Sequence, residues 1–171
     1  MMDIDLLLDA ATPAETTVAL CLNGKLRAQY ETLRARIEER AAEQADGDDA
    51  DTRLAGRGRK PKADPEQADL DRLVEEMKAH TITCRLVALP RPEFNQLMKD
   101  HPGRKDDKTG RPIERFNAET LFPVLLRKAL VEPVLSPAQY DKLLNAVNEA
   151  QYDKLVTAAW NLNHEDSDVP F

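Results

Sequence analysis

Between Thr16 and Leu22 apolar residues alternate at Val18, Leu20 and Leu22, and the run closes on Asn23-Gly24, so the pattern predicts a short strand ending in a turn. From Lys25 the period changes. Leu26, Tyr30, Leu33 and Ile37 recur at steps of four, three and four, the stripe of an amphipathic helix. Its other face is charged, and Glu31 with Arg34, Arg34 with Glu38 and Arg36 with Glu39 are spaced for pairs worth roughly a few tenths of a kcal/mol each. After Pro65 a second stripe, Leu70, Leu73, Val74 and Met77, predicts a helix that pairs with the first as an antiparallel hairpin arm. Between the two, an acidic run at 46–51 and a basic one at 56–62 offer nothing to build a core, which predicts an exposed, mobile linker over 46–64.

Period two returns over His80 to Leu89, with Ile82, Cys84, Leu86 and Ala88 on one side, and this is the clearest strand of the chain. Pro90 and Pro92 end it. Phe94, Leu97 and Met98 mark a short helix stopped by His101-Pro102-Gly103, and a polar loop follows from Arg104 to Arg115. The last third reads as three short helices. Asn117 or Thr120 caps the first, and Pro123, tolerable only near a first turn, favours the later start. Ser136 with Gln139 and Asn148 with Gln151 have the spacing of capping boxes that open the other two. These openings belong to a repeat, since Ala138 to Leu144 recurs as Ala150 to Val156 at an offset of twelve residues. One continuous helix would turn the copies about a third of a turn apart, so a break near Asn148 and two similar helices on one small core are expected.

These elements predict a mainly α fold with a minor α+β component. A helical bundle occupies the C-terminal half, and two short strands with the hairpin arm occupy the N-terminal half. The expected division is 1–89, then a helical domain over 90–163, then a flexible tail over 164–171. The expected core comprises Val18, Leu20, Leu22, Ile82, Leu86, Leu121, Leu125, Leu143, Leu155 and Trp160.

Composition narrows the function. Aromatic residues are only 5% of the 171, which fits helices better than a sandwich of large side chains. A net charge of −7 repels phosphates and anionic membranes, so another protein is the default partner and nucleic acid and membrane are not expected. Met1 to Ala10 carries aspartates where a signal peptide needs cations, and no apolar run approaches the roughly 18 residues of a membrane span, so the expected compartment is the cytoplasm. Cys21 and Cys84 stand alone in apolar stretches and read as reduced, buried thiols in preference to a disulfide.

Candidate chemistry is sparse. His80, His101 and His164 lie in unrelated contexts without an adjacent nucleophile, and His101 reads as a helix-end residue. Gly56-Arg57-Gly58-Arg59-Lys60 follows no strand and opens no helix, so it is not a phosphate loop. The string from Arg57 to Lys62 resembles a minor-groove AT-hook interrupted by Lys60; a basic linker pairing transiently with the acidic run is the preferred alternative to DNA binding. No enzyme, metal or cofactor is expected. What remains is apolar surface. The stretches 121–130, 140–147 and 152–162 supply more apolar side chains than three short helices need to cover one another. Candidate partner-binding residues there are Leu121, Phe122, Leu125, Tyr140, Leu144, Tyr152, Val156 and Trp160, with a core role preferred for Trp160.

The order and spacing of motifs from Leu86 to Asn163 resemble those of the tail assembly chaperones of actinobacterial long-tailed bacteriophages. The resemblance runs from the strand ending Arg85-Leu86-Val87-Ala88-Leu89, through Phe94, Leu97 and His101-Pro102, to Arg115-Phe116-Asn117 and Thr120-Leu121-Phe122-Pro123. It continues through Glu132-Pro133 and Leu135-Ser136 to Leu155, Ala158, Ala159 and Leu162-Asn163. The first 80 residues lie outside it, and the charged linker departs from the pattern. The resemblance implies a homo-oligomeric host-cytoplasmic protein that coats the tape measure protein, keeps it soluble, promotes polymerisation of tail tube protein around it, and is absent from the finished virion.

Overall fold

The computed structural model describes residues 4–47 and 65–164. The protein is mainly helical with one small antiparallel sheet. In chain order the elements are α1 (Ile4–Asp9), β1 (Glu15–Cys21), α2 (Gly24–Gly47), α3 (Pro65–Lys78), β2 (Thr81–Val87), α4 (Arg91–Asp100), α5 (Ala118–Ala129), β3 (Leu130–Glu132), α6 (Pro137–Ala146) and α7 (Glu149–His164). Most of the expected linker, 48–64, and the expected tail, 165–171, lie outside the described residues, and 46–47 belong to α2. The described residues form two compact units, 4–20 with 83–164 and 21–47 with 65–82, whereas the sequence suggested a division after residue 89. Most of the strand residues fold with the C-terminal helices because the sheet supplies a face of their core.

The larger unit is built on the sheet order β1-β2-β3. Alternation puts Val18, Leu20, Cys84 and Leu86 inside. On β2, Arg85 falls at the opposite phase and its guanidinium bonds Glu15 of β1 and Glu132 of β3, both at 2.8 Å, so one cation ties the three strands together. β2 and β3 pair antiparallel, with an irregularity between Arg85 and Leu86. The helices cover the apolar side with Phe94 and Leu97 of α4, Leu121, Leu125, Leu126 and Ala129 of α5, Tyr140 and Leu143 of α6, and Leu155, Val156 and Ala159 of α7.

Local signals set the helix ends. The side chain of Ser136 accepts from Gln139 N while that of Gln139 accepts from Ser136 N; Asn148 and Gln151 make the same reciprocal pair. The chain therefore breaks between α6 and α7, and corresponding repeat positions take similar environments: Leu143 and Leu155 are buried, and the Asp-Lys pairs face solvent. The start of α5 differs from expectation. Asn117 is its cap, accepting from Thr120 N at 3.4 Å, so Pro123 lies inside the helix. The gain is burial: this start puts Leu121, Leu125 and Leu126 wholly inside, and that outweighs the one backbone bond a proline cannot donate. The polar segment 104–115 is also more ordered than a bare loop. Bridges pair Pro102 with Phe116 and Lys105 with Pro112, Arg104 bonds Glu114 at 2.7 Å, and Asp106 accepts from Lys108 N and Thr109 N in a turn completed by Gly110 at φ 66°.

In the smaller unit Asn23-Gly24 is a helix start rather than a turn: Asn23 Oδ1 accepts from Lys25 N and Leu26 N, both at 3.2 Å. Arg40 bonds Glu66 at 2.7 Å near one end of the pair, and the bonds His80 N to Met77 O and Leu22 N to His80 O close the other, so α2 and α3 run antiparallel. Of the two apolar stripes only Leu26 is buried; Tyr30, Leu33, Ile37, Leu70, Leu73 and Met77 are half-buried. Three expected core residues are corrected here and in the larger unit. Leu22 is 39% exposed because β1 ends before it, and Ile82 and Trp160 are half-buried.

A candidate protein-binding groove

Trp160 occupies the centre of an aromatic cluster. Its spacing along α7 brings His164 one turn later onto its face, with ring centroids 3.8 Å apart and planes 18° from parallel. Phe116, delivered by the bridged segment before α5, lies at 4.8 Å, Phe122 of α5 at 5.8 Å and Phe94 of α4 at 6.0 Å, the last two edge-on. The cluster therefore joins three helices and the 102–116 segment.

Beside it runs an open groove of about 590 Å³. Leu89, Phe94, Met98 and Leu162 give it an apolar floor, and Arg91, Lys99, Arg115 and His164 stand along it. Asn163, also in the lining, holds the two ends of this stretch of chain together: its Oδ1 accepts from Leu89 N at 2.9 Å and its amide donates to Ala159 O at 2.7 Å.

The candidate partner-binding residues separate into two groups. Leu121, Leu125, Tyr140 and Val156 are buried and offer no surface to a partner. Phe122, Leu144, Tyr152 and Trp160 are half-buried, and of these Phe122 and Trp160 belong to the aromatic cluster. The buried Tyr140 hydroxyl has no hydrogen-bond partner among the described residues, and burial pushes its pKa up to about 12, against an opposing pull from Arg127, which lies 5.5 Å above the ring. The groove residues Arg91, Lys99 and Arg115 were missed by sequence reasoning. Nothing local marks them, because they are scattered over 25 positions, two on α4 and one in the segment before α5, and converge only in the folded unit.

The titratable candidates do not converge. His101 ends α4 and its Nδ1 lies 2.9 Å from Thr120 Oγ1, His80 follows α3, and His164 closes α7. Cys84 is buried, which raises its thiol pKa by desolvation, whereas Cys21 is half-buried. Among the described residues no group of three or more His, Cys, Asp or Glu side chains is placed to hold a metal ion, and no helix is long and apolar enough to cross a membrane. The basic segment 57–62 lies outside the described residues. Comparison with models of protein families, with curated proteins and with solved structures finds no match to this chain.

Proposed function

We propose that this protein is a tail assembly chaperone that acts by binding rather than by catalysis. It holds the long, helical tape measure protein in soluble form, and helps tail tube subunits polymerise around it. The observation that carries the reading is the closure of the stretch that bears the resemblance. Leu86 to Asn163 lies within one compact unit, and its two ends meet at the bond between Leu89 N and Asn163 Oδ1, on the wall of an open groove with an apolar floor. An extended, aggregation-prone partner is kept soluble by many copies of a small acidic protein that each cover a short length of it, and linked copies raise the effective concentration for the next contact. Exposed Ile4, Leu6 and Leu8 on α1, with Ile113 and Val134, are further apolar positions open to a second copy or to the tube protein.

Coexpression tests the proposal. A candidate tape measure protein should remain soluble with the wild type and precipitate with a chain carrying Met98→Glu and Leu162→Glu, whose retained fold is checked by circular dichroism. A tape measure protein equally soluble with and without this chain would sink the idea.

A further inference from the structure

The groove beside the aromatic cluster has a chemistry of its own. Three of its lining residues, Arg91, Lys99 and Arg115, are exposed cations, and among the described residues no carboxylate lines it. That is an unusual arrangement for a chain of net charge −7. None of the three makes an ion pair among the described residues, so their charges are open to a partner. Between the cations the floor is apolar, formed by Leu89, Phe94, Met98 and Leu162.

We infer that this groove binds an acidic peptide segment of the partner protein, one in which carboxylates flank a Leu- or Phe-type side chain. This rests on the reading of the protein as a protein-binding chaperone and names the chemistry of the segment it would take. The apolar anchor fills the floor, and the carboxylates reach the guanidinium and ammonium groups along it, where exposed pairs steer association and fix register more than they add affinity. A nucleic acid fits less well. Base stacking needs an open aromatic face, and the indole of Trp160 is already covered by His164 at 3.8 Å and Phe116 at 4.8 Å.

The test is a fluorescence anisotropy titration of the full-length chain with a short labelled peptide that alternates Glu with Leu at helical spacing. It is run beside the same peptide with Gln in place of Glu, the same peptide with Ser in place of Leu, and a single-stranded oligonucleotide. The inference expects the acidic, apolar peptide to bind most tightly, more weakly as salt is raised, and about tenfold more weakly to the chain carrying Arg91→Gln, Lys99→Gln and Arg115→Gln, a loss consistent with three exposed pairs. These positions are exposed, so the triple variant should keep its fold by circular dichroism, and the triple change Lys25→Gln, Lys142→Gln and Lys154→Gln, also at exposed positions, serves as the charge-matched control. Equal binding of the Glu and Gln peptides, or tighter binding of the oligonucleotide, would overturn it. Binding that appears only after residues 165–171 are removed would make the chain's own acidic end the occupant and would overturn the assignment to a partner. Because no tape measure protein is present, a chain that solubilises that protein yet ignores the acidic peptide refutes the groove chemistry alone.

Discussion

Replacing Trp160 with alanine separates packing from docking at the residue where the two readings compete. The indole touches four other rings, at centroid distances of 3.8, 4.8, 5.8 and 6.0 Å, from α4, α5, α7 and the segment before α5. Removing a fully buried Phe or Trp costs about 3–5 kcal/mol. Trp160 is half-buried, which lowers the transfer contribution below that of a fully buried ring, so a loss of about 2–4 kcal/mol, ring contacts included, is expected. Trp160→Phe keeps one ring in the cluster and should lose about half as much. The measurement is native-state hydrogen exchange at the amides of Leu155 and Ala159, buried on the same helix, because it reads the opening of this unit without interference from the α2–α3 hairpin. A loss below about 1 kcal/mol would show that the cluster does not hold the helices together, and the indole would then be a free contact surface.

Gly103→Ala should lower the melting temperature, with a cost of about 1–3 kcal/mol, because a Cβ there would lie 1.9 Å from the carbonyl oxygen of Glu114 and 2.9 Å from Phe116 N, backbone that cannot move without opening the Pro102–Phe116 bridge. An unchanged melting temperature would refute that close approach. Spectrophotometric titration should resolve one of the three tyrosines ionising at about 12 and absent from Tyr140→Phe. Since burial raises the folded pKa above the unfolded value of about 10, the stabilisation is complete below pH 10 and lost as pH rises towards 12, and Tyr140→Phe should remove that part of the alkaline loss.

The features legible in the sequence are those fixed within one turn or one strand. Both capping boxes use partners three residues apart, so Ser136-Gln139 and Asn148-Gln151 could be read directly, and with them the break that divides the repeat. Val18, Leu20, Cys84 and Leu86 followed from alternation alone. Features that depend on distant chain were not legible. Leu22 continues the period of β1 but lies past its end, Pro123 is carried inside a helix by the burial of Leu121 and Leu125, and Phe94, Phe116 and Trp160 meet although they are 22 and 44 positions apart. Local spacing carries no information about such meetings; the hydrophobic drive to cover the sheet brings them together.

The same physics explains why half of the expected partner-binding residues are inside. The apolar side chains of the three C-terminal helices exceed what those helices need to cover one another, but α4 and the inner face of the sheet must be covered too. Phe94 and Leu97 then take up one side of the cluster, while Val18, Leu20, Cys84 and Leu86 take up another, so Leu121, Leu125, Tyr140 and Val156 are consumed by the core. The surplus that survives is smaller and lies where α4 and α7 leave the groove open, next to cations instead of in the middle of an apolar face. On the proposed acidic-peptide reading, a partner is selected by charge as well as by apolar fit. On that reading, charged substitutions at Leu121 or Leu125 should abolish binding only by unfolding the unit, whereas neutralising Arg91, Lys99 or Arg115 should change affinity and salt dependence in a chain that is still folded.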